Sequence, residues 1–194
     1  MNDFRSVKGQ YFLEQINYAS DRCPHESVIE SVFNNCFMMC TNCLMTTIKE
    51  PTNNGITDGV ITFKMPDGQF LGNGLMEVKR NISFGGEAYR SQLKQVLAYY
   101  YSSIIDKRYK VLLLTSARYF SYIWIPENME AVTELAGMVS RARRLHPNVS
   151  ASELPRFVSD DWSLDLLTIH SWDITPDFDF LDPITEIYSL LNEA

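Results

Sequence analysis

Three residues in the first half of the chain have the types and spacing of a metal-dependent hydrolytic site. Asp58 begins an apolar run that ends at Phe63, and Glu77 and Lys79 lie two residues apart in a second such run. Residues i and i+2 of a strand point to the same face, so Glu77 and Lys79 project together. If the two runs pair as a hairpin, Asp58 can approach Glu77. Two carboxylates at close range repel, and a divalent cation with oxygen ligands relieves that repulsion.

The elements that must position these residues follow from apolar periodicity and from turn signals. Residues 1–22 form either a short helix or an irregular lead-in, and residues 51–55 and 65–74 are turns or loops. The remaining predicted elements are a helix from Cys23 to about residue 40, strands at 44–50, 55–63 and 75–80, a helix at 87–105, strands at 109–115 and 119–125, and helices at 127–145 and 183–191.

The chain resembles the PD-(D/E)xK nuclease superfamily at two short motifs. It reads Thr-Asp-Gly-Val at 57–60 and Glu-Val-Lys at 77–79, with Thr57 where the family commonly has proline. The predicted order of helix, three strands, helix and strand agrees with that family over about residues 25–126. The resemblance implies an α/β fold with a restriction-endonuclease-like αβββαβ core, in which helices flank a central mixed sheet. Extra C-terminal helices are expected outside the core.

The resemblance also implies a role for each residue of these motifs. Asp58, Glu77 and the backbone carbonyl of Val78 would bind Mg²⁺ or Mn²⁺, which lowers the pKa of a bound water and stabilises charge on phosphate oxygens. Lys79 would orient or activate that water and offset developing negative charge. The expected reaction is hydrolysis of a phosphodiester bond.

Two helices are expected to add polar groups to this site, and the glutamine of the second helix would hold water or metal ligands. Gln95 and Tyr99 lie at i and i+4 of the long helix and resemble the Gln-x-x-x-Tyr motif of RecB-like nucleases, although Gln92 could take the place of Gln95. Many members of the superfamily carry a glutamate on the first helix that faces the site. Glu30 is the choice for that role and Glu26 is the alternative, although surface solvation is the favoured explanation for either one.

Charge is distributed unevenly along the chain. The formal net charge is −7, yet residues 61–120 hold nine Lys or Arg against four Asp or Glu. Local charge matters more to a phosphate backbone than the charge of the whole chain. Four cations near the motifs are therefore candidates for phosphate contacts, while the alternative is that the charged faces only solvate the protein. These four are Arg80, Arg90, Lys94 and Arg118.

The cysteines and histidines favour no second metal centre. Cys23, Cys36, Cys40 and Cys43 all precede the motifs, and we expect them to be inert, reduced core thiols rather than ligands of an iron–sulfur cluster. The three histidines lack zinc-ligand spacing. No apolar run is long enough for a membrane span and no signal pattern opens the sequence, so a cytoplasmic location is expected.

Together these observations predict one nuclease-like domain over residues 1–194, with a core at about 25–126 and a C-terminal extension at 127–194. The predicted function is a metal-dependent nuclease in restriction, defence or recombination and repair; DNA is favoured as its substrate, and the sequence leaves RNA open. The alternatives are a catalytically silent module on a nuclease fold and the N-terminal domain of a larger restriction–modification enzyme. A homodimer or a larger assembly stays open, as does the role of the Asp-rich segment 160–182.

Overall fold

The computed structural model describes the backbone at all positions except 1, 24, 40–43, 48–50, 53–54, 66, 103–108, 151, 160–162 and 194. Side chains are described for the same residues, apart from residues 2–10, 38–39, 44–47, 51–52, 55 and 102. The helices are α1 (Asn2–Arg22), α2 (Glu26–Met39), α3 (Glu87–Ser102), α4 (Met129–Leu145) and α5 (Leu181–Glu193). The strands are β1 (Leu44–Thr47), β2 (Pro51–Thr52), β3 (Gly55–Ile56), β4 (Gly59–Lys64), β5 (Phe70–Lys79), β6 (Tyr109–Ser116), β7 (Tyr119–Trp124) and β8 (His170–Asp173).

A mixed six-stranded sheet forms the centre of the molecule. Its strand order is β1-β4-β5-β6-β7-β8, and a separate small hairpin joins β2 to β3. Every neighbouring pair is antiparallel except β5 and β6, which run parallel. A parallel pair needs a long crossover connection, and α3 lies in that crossover. The predicted α/β class, with a mixed sheet flanked by helices, is confirmed.

Two apolar layers cover the sheet, one on each face. Strands β6 and β7 are buried along almost their whole length, so their sequences are near-continuous apolar runs. Alternate side chains of β6 point into opposite layers. Leu113 packs towards α1, α2 and α5, and Leu112 packs towards α3 and α4. The first layer is rich in phenylalanine, and the ring of Phe180 lies 5.2 Å from Phe12 and 5.1 Å from Phe37.

Several boundaries differ from the prediction. Residues 2–22 form one continuous helix rather than a short one, and the turn at 51–55 carries the small strands β2 and β3. Strand β5 begins at Phe70, inside the predicted loop 65–74, because Gly72 and Gly74 are strand residues here and not turn residues. A Cβ atom at Gly74 would lie 2.6 Å from Cδ1 of Leu113, so glycine allows β5 and β6 to pack closely.

The C-terminal region contributes to the same sheet. Strand β8 pairs with β7 from Tyr119↔Asp173 to Tyr122↔His170, a pairing that the sequence did not predict. Cys23 is partly exposed and Cys36 is buried, both as free thiols, whereas Cys40 and Cys43 lie outside the described residues. None of the helices in the described part of the chain is both long and apolar enough to cross a membrane.

Candidate active site

The hairpin of β4 and β5 brings Asp58 next to Glu77. Gly59 pairs with Met76, so Asp58 and Glu77 are neighbours at the end of that ladder. One oxygen of the Asp58 carboxylate, Oδ2, accepts a hydrogen bond of 2.8 Å from the backbone N–H of Val78. Asp58 is half-buried, and the Glu77 side chain is only 1% exposed. The two carboxylates therefore share a site largely removed from water.

Lys79 lies on the same face of β5 as Glu77 and contacts it directly. Its ammonium nitrogen donates to Oε1 of Glu77 at 2.7 Å and to Oε1 of Glu26 at 3.2 Å. Glu26 belongs to the first turn of α2 and is 44% exposed, so the ion pair links the end of β5 to the start of that helix. The cation is thus held between two carboxylates rather than pointing into solvent.

Negative charge exceeds positive charge at this site, and the pKa values respond. Burial raises the pKa of Asp58 to about 6; the Val78 N–H and Lys79 oppose that rise, while Glu30 and Glu26 add to it. Burial, followed by the charge of Asp58, raises the pKa of Glu77 well above its ordinary value. Burial alone would lower the pKa of Lys79, but Glu77 and the other nearby acids raise it overall.

The arrangement fits a divalent cation with few protein ligands. Atom Oε2 of Glu77 is buried without a hydrogen-bond partner, and an unsatisfied buried carboxylate oxygen is costly. Among the described residues no group of three His, Cys, Asp or Glu is placed to hold a metal. Mg²⁺ commonly uses only one or two carboxylates and keeps several waters, so Asp58 and Glu77 with the Val78 carbonyl form a donor set of suitable chemistry.

Helix α3 contributes two glutamines with different roles. The amide nitrogen of Gln92 donates to the backbone carbonyls of Glu77 at 2.7 Å and of Thr115 at 3.1 Å. Its oxygen accepts a hydrogen bond from the hydroxyl of Tyr119. Gln92 therefore joins the parallel strands β5 and β6 directly behind the site. We expect this residue to hold the Glu77 backbone in place.

Gln95, the second of these glutamines, makes a contact within the helix. Its amide nitrogen donates to the hydroxyl of Tyr99 at 3.1 Å, as the i, i+4 spacing allows. Burial, and after it the charge of Glu77, raise the pKa of Tyr99 to about 12. The pair Gln95 and Tyr99 is therefore within the electrostatic field of the carboxylates, and its contact with water or metal ligands stays a prediction.

Both glutamates considered for α2 face the site. Glu30 is 8% exposed and its charge helps to raise the pKa of Asp58. Glu26 is more exposed and bonds to Lys79. They lie one helical turn apart, so both can face the same edge of the sheet.

The four cations predicted to contact phosphate differ from one another in position and exposure. Arg118 is exposed in the tight link between β6 and β7, where the N–H of Ala117 donates to the carbonyl of Arg80 at 3.2 Å. Arg118 is thus at the same end of the sheet as Lys79. The guanidinium of Arg80 instead donates to the carbonyl of Ser20 at 3.0 Å and anchors the end of α1.

Lys94 and Arg90 lie on a different side of α3 from Gln92 and Gln95. Lys94 is 5% exposed and its ammonium donates to the carbonyl of Val158 at 3.0 Å, and its contact with phosphate stays a prediction. Arg90 is partly exposed beside it. The sequence could not show that residues 154–158 cover this side of the helix.

Sequence reasoning missed the role of Gln92 although a signal was present. In α3, Tyr89, Leu93 and Val96 form a buried apolar stripe, and Gln92 is 1% exposed among them. A polar residue within such a stripe must find internal partners. Gln92 meets this requirement by donating hydrogen bonds to the backbone carbonyls of Glu77 and Thr115.

No family model matches the chain, and neither a curated protein nor a solved structure matches it. Function is therefore inferred from the geometry of the site.

Proposed function

We propose that the protein is a divalent-metal-dependent nuclease of the PD-(D/E)xK type that hydrolyses phosphodiester bonds in DNA. One observation carries the proposal: Asp58 and the fully buried Glu77 meet at adjacent strand ends, and Oε2 of Glu77 has no hydrogen-bond partner. Placing two carboxylates together in a buried site costs stability unless a cation joins them. Helices and strands in the order α2, β1, β4, β5, α3 and β6 support a restriction-endonuclease-like core, with β2 and β3 as an insertion.

The residues divide the chemistry between ligands and a fixed positive charge. Asp58, Glu77 and the Val78 carbonyl would hold Mg²⁺ or Mn²⁺, which when bound supplies a nucleophilic water of lowered pKa. Lys79 keeps its proton at neutral pH because the acids around it raise its pKa. It therefore acts by donating hydrogen bonds and by offsetting negative charge on the phosphate, and not as a general base.

The direct test is a cleavage assay on four substrates: linear, circular and single-stranded DNA, and RNA. We expect cleavage of DNA with Mg²⁺ or Mn²⁺ and none with EDTA. Glu77→Gln serves as the inactive variant and Asp67→Asn as the matched control, because Asp67 is exposed in the turn between β4 and β5. Metal-dependent cleavage that is equally strong in Glu77→Gln would point to a contaminating nuclease or to another site.

One observation favours a second candidate, a catalytically silent binding module on the same fold. The Lys79 ammonium is 2.7 Å from Oε1 of Glu77, so part of the carboxylate charge is already balanced without a metal. Calorimetric titration with Mn²⁺ separates the two candidates. Saturable Mn²⁺ binding that Glu77→Gln abolishes supports the enzyme, whereas no binding in the presence of DNA supports the silent module.

A further inference from the structure

The peptide group between Glu77 and Val78 is held at both of its polar ends. Its carbonyl oxygen, which belongs to Glu77, accepts a hydrogen bond of 2.7 Å from the amide nitrogen of Gln92. Its N–H, which belongs to Val78, donates to Oδ2 of Asp58 at 2.8 Å. Because a peptide group is planar and rigid, these two hydrogen bonds together fix its orientation. A rotation of this group would therefore move the carboxylate of Glu77 relative to that of Asp58.

The side chain of Gln92 is itself held by three hydrogen bonds. Its nitrogen donates to the carbonyls of Glu77 and Thr115, and its oxygen accepts from the hydroxyl of Tyr119. Gln92 is 1% exposed and Tyr119 is fully buried, so water has no access to replace these partners. Without the Tyr119 hydroxyl the Gln92 oxygen would be buried and unsatisfied, and it could regain a partner only if the side chain moved.

Together these contacts form one continuous chain of hydrogen bonds across the sheet. It runs from Tyr119 on β7 through Gln92 on α3 to the peptide group of β5, and it ends on Asp58. Hydrogen bonds in a buried chain polarise one another, so a strong bond at the Glu77 carbonyl makes the Val78 N–H a better donor. The Tyr119 hydroxyl can thus influence a carboxylate on another strand.

Tyr89 offers a comparison within the same cluster of rings. Tyr89 and Tyr119 are both fully buried, and their ring centroids are 5.5 Å apart. The hydroxyl of Tyr89 lies 3.3 Å from that of Ser121, which donates to the carbonyl of Leu114 at 2.9 Å. This second branch ends on the backbone of β6 rather than on Gln92. Two tyrosines of equal burial therefore differ in where their hydroxyl groups lead.

We propose that Tyr119 is a positioning residue of the carboxylate site. It acts through Gln92 on the peptide group between Glu77 and Val78, and that peptide group orients both carboxylates. The identity of the ligand as a divalent cation rests on the proposed nuclease function. Partners outside the ligand set commonly orient the side chains that bind a metal. Tyr119 would do so here without touching the ion or the substrate.

The first test is calorimetric titration of Mn²⁺ into the full chain and its variants. These are Tyr119→Phe, Gln92→Met, the double variant and, as the matched control, Tyr89→Phe. We expect Tyr119→Phe to bind Mn²⁺ about tenfold more weakly and Gln92→Met about 10- to 100-fold more weakly, as for other partners that orient metal ligands. The double variant should bind no more weakly than Gln92→Met, because Tyr119 acts through that side chain.

The control variant separates positioning from stability. Tyr89→Phe and Tyr119→Phe each lose one buried hydroxyl, so their urea midpoints should fall by similar amounts. Only Tyr119→Phe should lose affinity for Mn²⁺. This comparison decides even where Gln92→Met does not fold. Equal Mn²⁺ affinity in Tyr119→Phe and Tyr89→Phe would overturn the proposal, and so would losses that add in the double variant.

The second test needs no metal. The amide resonance of Val78 is followed in isotope-labelled protein with EDTA. We expect it to move upfield in Tyr119→Phe by more than the other amides of β5, since a weaker hydrogen bond to Asp58 shields the proton. Tyr89→Phe should leave the resonance in place. An unmoved Val78 resonance in Tyr119→Phe would overturn the proposal.

The two proposals can fail separately. A moved Val78 resonance in a protein that binds no Mn²⁺ leaves the positioning role of Tyr119 intact and removes the metal-dependent enzyme. Metal-dependent cleavage at the wild-type rate in Tyr119→Phe, with the resonance unmoved, leaves the enzyme intact and removes the positioning role.

Discussion

Two glutamates, Glu77 on strand β5 and Glu186 on helix α5, both bond to neighbouring side chains, and their surroundings are opposite. Oε1 of Glu186, on α5, accepts a 2.6 Å hydrogen bond from Tyr122 and lies 2.7 Å from Nδ1 of His170. The rings of Tyr122 and His170 stack with centroids 4.6 Å apart. Glu186 is 41% exposed, whereas Glu77 is fully buried and Oε2 of Glu77 has no hydrogen-bond partner.

The difference shows how a structural carboxylate can be told from a functional one. Glu186 is surrounded by donors and joins α5 to the edge of the sheet, so its charge helps to hold the fold together. Burial raises the pKa of Glu77 most, and the charges of Asp58 and Glu26 raise it further against the opposing charge of Lys79. Such repulsion in a buried site is unfavourable for folding alone, which supports the proposal that Glu77 has a functional role.

The largest effect is expected for loss of a carboxylate at the site. Glu77→Gln or Asp58→Asn should lower metal-dependent cleavage by about 10³-fold or more, because each removes a ligand of the ion. The fold should stay intact, because each removed charge is repelled by the neighbouring carboxylates as well as attracted by Lys79. Single-turnover cleavage rates and urea unfolding of the same preparations check both statements. A strong loss of stability in both variants would show that these carboxylates stabilise the fold, as Glu186 does.

Lys79→Ala should separate turnover from metal binding. Lysine is no metal ligand, so Mn²⁺ affinity should survive or increase once the ammonium no longer competes for Oε1 of Glu77. Turnover should fall by about 10²-fold, as when a positioned catalytic group is lost. Calorimetric titration and cleavage rates measured side by side check this. Loss of Mn²⁺ binding in Lys79→Ala would make the lysine a structural partner.

Stability without metal should depend on pH through Asp58. Its pKa is about 6 in the folded protein against an ordinary value of 3.8, so the folded state favours the protonated carboxyl. The stabilisation from this group is present below the ordinary value and is lost as the pH rises through 6, by up to ~1.4 kcal/mol per pH unit. Urea midpoints of wild type and Asp58→Asn between about pH 4 and 8 check the fall, which should be smaller in the variant. Saturating Mg²⁺ should suppress it, because the ion keeps the carboxylate charged.

The smallest effect is expected at the other glutamate. Glu186→Gln should lower the free energy of unfolding by about 1 kcal/mol, since a partly exposed charged acceptor is replaced by a neutral one. Cleavage should stay at the wild-type rate. Thermal or urea unfolding with a parallel cleavage assay decides this, and reduced cleavage at unchanged stability would place Glu186 in the catalytic machinery.

The order of elements and the approach of Asp58 to Glu77 could be predicted because both follow from local patterns. Alternation and turn residues define the hairpin, and i, i+2 spacing defines which face Glu77 and Lys79 share. The choice between Glu26 and Glu30 could not be made from the sequence. They lie one turn apart on α2, and the rotation of that helix about its axis is set by tertiary packing.

Other features depend on contacts between distant parts of the chain. Lys94 has the spacing of a surface residue, yet it is buried because Val158 accepts its hydrogen bond. Strand β8 reads His-Ser-Trp-Asp, which is short and polar, and it forms because β7 offers a free edge for pairing. Local propensity holds no information on either contact.

The contacts of Phe12 have a consequence for how the protein is made. Its ring lies 5.8 Å from Phe178 and 5.2 Å from Phe180, so the first helix completes its layer only with residues from the far end of the sequence. During synthesis on the ribosome, β4 and β5 therefore emerge long before the segment that completes the cover of their phenylalanine-rich face, on which α1 and α2 also pack. Part of that face stays open to chaperones until residues near 180 have left the exit tunnel. We expect stalled nascent chains to bind no metal until that length is reached.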